Sequence, residues 1–488
     1  MEPEVLDVVI VGAGISGIGA ACHLRTALPD VSFAILESRD AIGGTWDLFR
    51  YPGIRSDSDL HTYGYAFKPW TDDDAIAAGD KILRYLGETV DEHDLRPHIR
   101  FGHRVATASW SSVEALWTVT GERTDTGEAY VVRGRWLFAT TGYFRYDHGH
   151  VPELPGLDRF AGPVVQPQHW PEDLDVAGKR IVVIGSGATA ATLVPALAER
   201  DAHVTMLQRS PTYYVSLPKQ DPLANLARRW LSPERAYAWT RRKNVTTQAI
   251  FYRLCRTRPD LMKKVLVRGV AKQLPEGYDV DRHFTPTYGP WDQRVCFTPG
   301  GDVFRAISSG RASVVTDTIE TFTETGIRLA SGAELDADIV VLATGLELLA
   351  LGGIAVDVDG NAVEAADRVV YKSAMLSGVP NLTFLFGYTN ASWTLKVDLV
   401  CAWVCRCLAL MRQRAYDAAV PVVDPAMPTA PMLDLTSGYI QRARDRFPKQ
   451  GTGPWAVSTR YRDDERRLLR DPIDDGVLQL SRVRAPAR

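Results

Sequence analysis

The chain has 488 residues, of which 45% are hydrophobic and 24% charged, a composition typical of a globular protein with two or three domains. Its net charge of -3 provides no general attraction for nucleic acid, so we expect no nucleic-acid partner. Six cysteines without a CxxC pair favour a reducing, cytoplasmic location, and no metal site is expected because the clustered Cys401, Cys405 and Cys407 have no histidine nearby.

The first predicted element is a short apolar strand, "DVVIVG", that runs into the glycine-rich turn "GAGISG". Such a strand is typical of a parallel sheet covered on both faces. Gly12 allows the tight turn, Gly14 lets the backbone approach a pyrophosphate, and Gly17 lets the following helix pack closely on the strand. A second strand, "VSFAILE", ends in Glu37, which can accept hydrogen bonds from a ribose diol. This segment predicts a dinucleotide site suited to FAD.

The next distinctive segment is "GGTWDLFRYPGIRSDSDL". Gly44 suits a backbone that lies close to a ligand, and Trp46 provides a flat apolar wall. A rigid Tyr-Pro-Gly turn then precedes Arg55 and Asp57. Taken alone, this pattern also fits an ordered surface loop.

A second strand and glycine-rich turn follow at "VVIGSGATAA", in which Gly185 and Gly187 take the first two motif positions and Ala190 the third. The partner strand "HVTMLQRS" ends in Arg209 and Ser210 instead of an acid. A guanidinium and a hydroxyl suit a 2′-phosphate, so this turn predicts an NADPH site. Two sites of opposite preference predict a flavin that NADPH reduces.

Residues 218 to 282 depart from the alternation of strands and helices and predict an inserted helical pair. Between Leu223 and Gln273, thirteen Arg or Lys residues stand against two acids and are interleaved with aromatic residues. One interpretation is a solvated face over a small core, and the other is peripheral contact with an anionic membrane that supplies hydrophobic substrate. Neutralising Arg241, Arg242 and Lys243 is the test that the sequence suggests. No stretch approaches the length of a membrane span.

The chain resembles the type I Baeyer–Villiger monooxygenases, which are class B flavoprotein monooxygenases. The run from Gly43 to Asp57 has the spacing of their first fingerprint, and "FAGPVVQPQHWP" matches the second except at Gln166, where the family has histidine. The resemblance is strongest to the ethionamide-activating monooxygenases of actinobacteria, through segments such as "PQHWPEDLD", "HVTMLQRSPTY" and "GYTNASWTLK". Gln166 either fills a positioning role without titrating, at a cost in coupling, or satisfies a backbone group at the domain junction.

The resemblance implies an enzyme that forms a C4a-peroxyflavin with O2 and inserts one oxygen atom beside a ketone carbonyl, giving an ester or lactone. Its substrates would be small hydrophobic ketones, with sulfides or thioamides also oxidised. Arg294 takes the place of the family's active-site arginine, with Asp57 as its partner, and Asn390 and Trp393 are pocket candidates. The residues carried over for FAD are Gly12, Gly14, Ser16, Gly17, Glu37, Gly44, Thr45, Trp46, Asp57 and Val105, and those for NADPH are Arg55, Ser56, Gly185, Gly187, Thr189, Ala190, Arg209 and Ser210.

The implied fold is α/β, with two Rossmann-like dinucleotide-binding domains and a helical insertion. We expect a discontinuous FAD domain at 1–145 and 333–488, and between them an NADPH domain at 146–332 that carries the insert at about 218–282. One alternative is a flavin monooxygenase that acts mainly on sulfur or nitrogen. Another is a catalytically degenerate flavoprotein that senses NADPH, for which Gln166 is the only support. The sequence specifies no oligomeric state.

Overall fold

The computed structural model describes residues 4–483, which form 25 strands and 13 α-helices. The strands are β1 (Val5–Val11), β2 (Phe33–Leu36), β3 (Ile99–Arg100), β4 (His103–Ser111), β5 (Leu116–Arg123), β6 (Ala129–Ala139), β7 (Val164–Val165), β8 (Arg180–Ile184), β9 (His203–Gln208), β10 (Tyr214–Leu217), β11 (Cys296–Pro299), β12 (Ala312–Thr316), β13 (Ile319–Thr323), β14 (Gly326–Leu329), β15 (Glu334–Asp336), β16 (Ile339–Leu342), β17 (Ala355–Val358), β18 (Asn361–Ala362), β19 (Val370–Tyr371), β20 (Met375–Leu376), β21 (Leu382–Phe384), β22 (Ala418–Pro421), β23 (Ala430–Pro431), β24 (Lys449–Gln450) and β25 (Leu478–Ser481). The helices are α1 (Ile15–Ala27), α2 (Thr45–Leu48), α3 (Leu60–Tyr63), α4 (Gly79–Glu92), α5 (Ala188–Ala198), α6 (Pro222–Trp230), α7 (Pro233–Thr257), α8 (Pro259–Ala271), α9 (Val280–Phe284), α10 (Asp302–Ser308), α11 (Trp393–Arg414), α12 (Gly438–Ala443) and α13 (Tyr461–Leu469).

A nine-stranded sheet forms the first unit of the chain, in the order β18-β17-β4-β5-β6-β1-β2-β3, with β21 also paired to β6. β1 lies parallel to both β2 and β6, as its run of buried apolar residues predicts. β4, β5 and β6 form an antiparallel meander that extends the sheet. α1 and α11 pack together over one face. The first glycine-rich turn therefore lies at the carboxyl end of a central strand.

A five-stranded parallel sheet forms the second unit, in the order β12-β9-β8-β16-β7. α5 and α10 pack against this sheet. β16 lies between β8 and β7, so the boundary predicted at 333 is wrong, and residues 339–342 belong to the second unit. The physical reason is that the four apolar residues of β16 are all buried, as in a parallel sheet covered on both faces, and the backbone of β16 pairs with β8 at one edge and β7 at the other. The chain re-enters the first sheet only at β17.

The helical insert contains three long helices, α6, α7 and α8, followed by the short α9, so the predicted pair is wrong in number. Each long helix has a proline in its first turn, where the missing N–H costs nothing. Asp221 and Ser232 cap α6 and α7 by accepting hydrogen bonds from backbone N–H groups. These two caps divide the segment into separate helices. The α/β fold class and the presence of a helical insert are confirmed.

The insert contacts the first unit through an ion pair and hydrogen bonds of α7. Arg241 is buried, forms an ion pair with Asp398 of α11 at 2.9 Å, and donates to the carbonyl oxygens of His61 and Gly64. Lys243 pairs with Asp221 at 2.5 Å. Neutralising Arg241 and Lys243 would therefore break structural contacts, so two of the three residues in the membrane test suggested by the sequence are unsuitable. Arg242 is exposed and remains suitable.

The six cysteines are all buried and unpaired, so the prediction of buried thiols is confirmed for Cys401, Cys405 and Cys407 of α11. Burial raises the pKa of the Cys407 thiol to about 12. In residues 4–483, no helix has both the length and the apolar character that crossing a bilayer requires.

Candidate active site

The first glycine-rich turn is shaped so that a ligand can approach the N-terminus of α1. Gly12 has a φ of +105°, which strains any residue with a side chain. A Cβ at Gly17 would overlap the carbonyl oxygen of Gly12, so only glycine lets α1 start here. Gly14 faces Gly44, where an added Cβ would lie 3.2 Å from the Gly14 Cα. The two facing glycines leave backbone on both sides of a site at a helix N-terminus, where anions bind.

We expect Gly17→Ala to lower the thermal midpoint and the flavin content of the purified protein. The added methyl group must push α1 away from the turn, at a cost of about 1–3 kcal/mol. Gly87→Ala is the matched control, because Gly87 is also helical and its added Cβ would meet no atom within 4 Å. Thermal denaturation and the flavin-to-protein absorbance ratio would measure both. Equal behaviour of the two variants would contradict the prediction.

The Glu37 side chain binds the backbone of the first glycine-rich turn. Its carboxylate is buried and accepts hydrogen bonds from the backbone N–H groups of Ala13 at 2.7 Å and Arg39 at 2.9 Å. A carboxylate has about four acceptor positions, so capacity for a ribose hydroxyl remains. The backbone N–H of His103 donates to the Glu37 carbonyl at 2.7 Å, which brings the start of β4, with the half-buried Val105, to the same end of the sheet.

The loop before α3 connects the two units. Thr45 Oγ1 lies 3.3 Å from the hydroxyl of Tyr146. Trp46 Nε1 donates to the hydroxyl of Tyr63 at 2.9 Å. The Arg55 guanidinium pairs with Asp302 at the start of α10 in the second unit and donates to the carbonyl of Ala191 on α5. Ser56 Oγ donates to the carbonyl of Ser58 at 2.7 Å. Arg55 and Ser56, both predicted for NADPH, are thus engaged by protein groups.

The second glycine-rich turn repeats this geometry. Gly185 has a φ of +129°, and a Cβ there would overlap the carbonyl oxygen of Ala343. A Cβ at Gly187 would meet no atom within 4 Å, so this glycine faces open space at the start of α5. Ala190 is buried against the sheet, and Thr189 is half-buried in the first turn of α5.

Arg209 and Ser210 follow β9 beside this turn. Both are exposed, and the Ser210 carbonyl accepts from Ser186 Oγ at 3.3 Å. In the described part of the chain, no carboxylate lies within 4.0 Å of the Arg209 guanidinium. An exposed, uncompensated guanidinium at this position suits a 2′-phosphate.

We expect Arg209→Ala to raise the KM for NADPH by about 10- to 100-fold, because charge-assisted hydrogen bonds of this kind contribute about 1.5–3 kcal/mol. The KM for NADH should change by less than about twofold, since NADH has no 2′-phosphate. Arg200→Ala is the matched control, as Arg200 is an exposed arginine of the same unit at the end of α5. Steady-state assays with both nucleotides would measure the effect. A parallel rise in both KM values would contradict the assignment.

Gln166 lies in the linker ahead of the second sheet. Its Oε1 accepts a hydrogen bond from the backbone N–H of Gly149 at 3.2 Å. With Thr189 and Leu346 it lines a small cleft next to the second glycine-rich turn. The neighbouring His169 is exposed and does not occupy this position. The structure therefore agrees with the interpretation in which Gln166 satisfies a backbone group at the junction.

Arg294 and Asp57 meet although 237 positions separate them. Arg294 Nη1 lies 3.5 Å from Asp57 Oδ2, and the side chains are 33% and 50% exposed. Burial lowers the pKa of Arg294, but Tyr439, Tyr143 and Asp57 outweigh this effect, so its pKa is raised and its charge is permanent. The buried Nε of Arg294 has no hydrogen-bond partner in residues 4–483. The Arg294 guanidinium is therefore positioned by the Asp57 carboxylate, and its Nε–H remains an unpaired donor.

The predicted pocket residues lie at the start of α11. Trp393 Nε1 donates to Ser16 Oγ at 2.9 Å, which joins the pocket candidate to the first glycine-rich turn. Asn390 Nδ2 donates to the carbonyl of Thr459 at 2.9 Å, while its buried Oδ1 has no partner in the described residues. Arg294 Nε and Asn390 Oδ1 are thus a buried donor and a buried acceptor that the described residues leave unpaired, and such atoms usually have a partner.

Sequence reasoning missed Tyr143. Its ring stacks on Trp393 with centroids 4.9 Å apart, and it lies close enough to Arg294 to contribute to the raised pKa of that guanidinium. Burial raises the pKa of Tyr143 to about 12, with Arg294 opposing, so its phenol is neutral at physiological pH. The sequence feature that could have identified Tyr143 is its position just after β6. This is the carboxyl end of a central strand, where ligands of open α/β sheets bind.

Comparison with known proteins agrees with this geometry. Residues 6–222 match the family model described as flavin-binding monooxygenase-like. The chain is 52% identical over 487 residues to the FAD-containing monooxygenase EthA from Mycobacterium tuberculosis H37Rv, with 99% of each chain covered. The chain therefore belongs to the FAD-containing monooxygenase family, and the predicted family is confirmed.

Two solved structures show the same architecture. An oxidized steroid monooxygenase bound to NADP has a TM-score of 0.72 at 25% identity, covering 86% of this chain and 88% of that one. A complex of OTEMO with FAD and NADP has a TM-score of 0.76 at 21% identity, covering 98% of this chain and 99% of that one. The second likeness shows the fold over nearly the whole chain.

Proposed function

We propose that this flavin monooxygenase is an FAD- and NADPH-dependent Baeyer–Villiger enzyme that inserts one oxygen atom of O2 beside the carbonyl of a small hydrophobic ketone. The first unit would be the FAD domain and the second the NADPH domain. EthA is named as FAD-containing, and the steroid monooxygenase structure contains NADP, which supports both cofactors. Oxidation of sulfides or thioamides is proposed as a second activity.

The residues present fit the two cofactors. Gly14 and Gly44 form a cradle that side chains would fill, at the N-terminus of α1. Gly187 faces open space at the N-terminus of α5, next to the uncompensated Arg209. The unpaired atoms of Arg294 and Asn390 provide a donor and an acceptor for bound groups.

Arg294 carries the proposal. When bound, the flavin reduced by NADPH activates O2 and supplies the oxygen atom. Attack on a ketone places negative charge on the former carbonyl oxygen, and a permanently charged donor stabilises it. Asp57 orients the guanidinium through Nη1, and the unpaired Nε–H of Arg294 is a further hydrogen-bond donor. The stacked rings of Tyr143 and Trp393 form an apolar wall that keeps water from the reacting atoms.

Product analysis under 18O2 tests the proposal. With NADPH and a water-soluble alkyl or aryl ketone, we expect an ester that contains one labelled atom, with NADPH consumed in equal amount. A methyl aryl sulfide supplied in parallel would report S-oxygenation. Sulfoxide formation without any ester from a panel of ketones would overturn the proposal in favour of a flavin monooxygenase that acts on sulfur or nitrogen.

The degenerate NADPH sensor has little support. Gln166 was its only basis, and the structure gives this residue a hydrogen bond to the Gly149 backbone at the junction. Any multiple-turnover oxygenation would exclude the sensor.

A further inference from the structure

The helical insert exposes an unusual amount of apolar surface. Nine of the nineteen large apolar side chains that are exposed in residues 4–483 lie between 223 and 265, and Trp230 is 82% exposed. Scattered exposed apolar residues are normal, but such concentration in one segment marks an interaction site. We name this set the insert face; it consists of Leu223, Leu226, Trp230, Leu231, Trp239, Ile250, Leu254, Leu261 and Val265.

Each long helix of the insert presents its exposed apolar residues on one side. In α6 the residues Leu223, Leu226 and Trp230 follow the i, i+3, i+7 spacing of a single helix face. In α7 and α8 the corresponding residues also recur at helical spacing, and they include Trp239, Ile250 and Leu254 in α7 and Leu261 and Val265 in α8. The opposite sides of these helices are buried against the protein, through Ala224, Tyr237, Cys255, Met262 and Leu266. The folded chain thus leaves a second apolar side of each helix uncovered.

The rim of the insert face is positively charged. Eight basic residues of the insert are exposed and have no carboxylate within 4.0 Å in the described part of the chain, namely Arg229, Arg235, Arg242, Arg253, Arg258, Lys264, Arg268 and Lys272. Between 223 and 273, only Glu234 and Asp260 are acidic. The basic residues of the insert therefore fall into two sets. Some, such as Arg241 and Lys243, form ion pairs within the protein, and the eight named above carry exposed cations without a carboxylate partner.

We propose that the insert face docks on an anionic phospholipid bilayer. Exposed tryptophans and leucines between arginines match the interfacial region of a membrane, where apolar rings enter the acyl boundary and cations contact headgroups. A second copy of the chain is the less suitable occupant. A two-fold interface through this face would bring eight free cations of one copy against the same eight of the other.

The docked insert would lie next to the reaction site. Arg256 of α7 pairs with Asp292 at 2.6 Å, and Tyr252 of α7 packs edge-on against Trp291 at 5.6 Å. Trp291 and Asp292 precede Arg294 in the same loop. A bilayer contacting α7 would therefore be close to the loop that holds Arg294, and a hydrophobic ketone could enter from lipid. This last step rests on the proposed function, whereas binding itself does not.

Vesicle sedimentation with the flavin-loaded full-length chain tests the proposal. We expect binding to vesicles of equal phosphatidylcholine and phosphatidylglycerol, little binding to pure phosphatidylcholine, and loss of binding at high salt. Arg235, Arg242 and Arg253 all changed to Glu should lower the partition coefficient by about a hundredfold or more. Trp230→Ser with Trp239→Ser should lower it by about tenfold or more.

Matched controls use exposed residues outside the insert. Changing Arg84, Arg412 and Arg444 to Glu removes the same number of exposed charges, and Val113→Ser removes an apolar side chain that is 74% exposed. Both controls should bind vesicles as the parent does. Activity with a water-soluble substrate would show that every variant is folded, and vesicle binding remains readable if no ketone is turned over.

Two outcomes would overturn the proposal. One is the absence of binding to anionic vesicles by the folded parent protein. The other is concentration-dependent dimerisation in analytical ultracentrifugation that the two tryptophan substitutions abolish while vesicle binding is unchanged, which would assign the insert face to a second copy.

Discussion

Replacing Arg294 by alanine should lower kcat/KM for ketone oxygenation by about a hundred- to a thousandfold, the usual effect of removing one preorganised donor to a developing oxyanion. The substituted enzyme should still oxidise NADPH, because Arg209 and the second glycine-rich turn are untouched. Sulfide oxidation should fall by less than about tenfold, since sulfur attack places no negative charge on the substrate. Steady-state rates of ester and sulfoxide formation would measure both activities.

Two further variants separate chemistry from loop structure. Arg256→Ala removes a guanidinium that pairs with Asp292 in the same loop, and we expect ketone oxygenation to fall by less than about threefold. Arg294→Lys retains the charge without the planar donor and should recover part of the lost rate. An equal loss of ketone and sulfide oxidation in Arg294→Ala would show that the residue acts on loop structure instead of on the substrate oxygen.

The second large effect is on stability, where Lys396→Met should lower the free energy of unfolding by about 3–5 kcal/mol. Lys396 of α11 and Asp464 of α13 form an ion pair with side chains 1% and 0% exposed. Burial lowers the pKa of Lys396, while Asp464 opposes that shift. Tyr388 also donates to Asp464 at 2.6 Å. Removal of the Lys396 ammonium leaves the Asp464 carboxylate buried with Tyr388 as its neutral side-chain donor. Urea denaturation would measure the decrease in the free energy of unfolding.

The double variant Lys396→Met with Asp464→Leu should regain most of this stability, because it removes both buried charges together. Arg123→Ala is the surface comparison, since Arg123 and Asp125 form an exposed pair at 2.6 Å. Breaking that pair should cost less than about 1 kcal/mol. If Lys396→Met behaved like Arg123→Ala, the buried pair would contribute no more than a surface contact.

The parts of the fold that were predictable are those specified by neighbouring residues. The two strand-and-turn segments were predictable because the constraint on Gly17 arises from Gly12, five positions away. The presence of a helical insert was predictable from the spacing of its apolar residues, but the number of its helices was not. The boundary at 333 was wrong because β16 resembles any buried strand, and its pairing with β8 depends on residues far away in the sequence.

The remaining features depend on long-range contacts. The sequence shows Arg241 within a run of basic residues, and only the folded chain reveals its ion pair with Asp398. The site residues Arg294 and Asp57 could be paired beforehand only through the family resemblance. Tyr143 was missed because an aromatic residue after a strand has no pattern of its own, and its role depends on stacking against Trp393.

The attachment of α7 to the first unit also limits how this protein can be recombined. A chimera that exchanges the second unit with a relative's would bring in a new residue at Arg241 while keeping Asp398, His61 and Gly64. Unless the incoming α7 also has arginine at this position, the graft would remove the charged partner of the buried Asp398 and leave the carbonyl oxygens of His61 and Gly64 without a donor. Crossover points for gene shuffling should therefore follow this contact, with Arg241 and Asp398 inherited from the same parent.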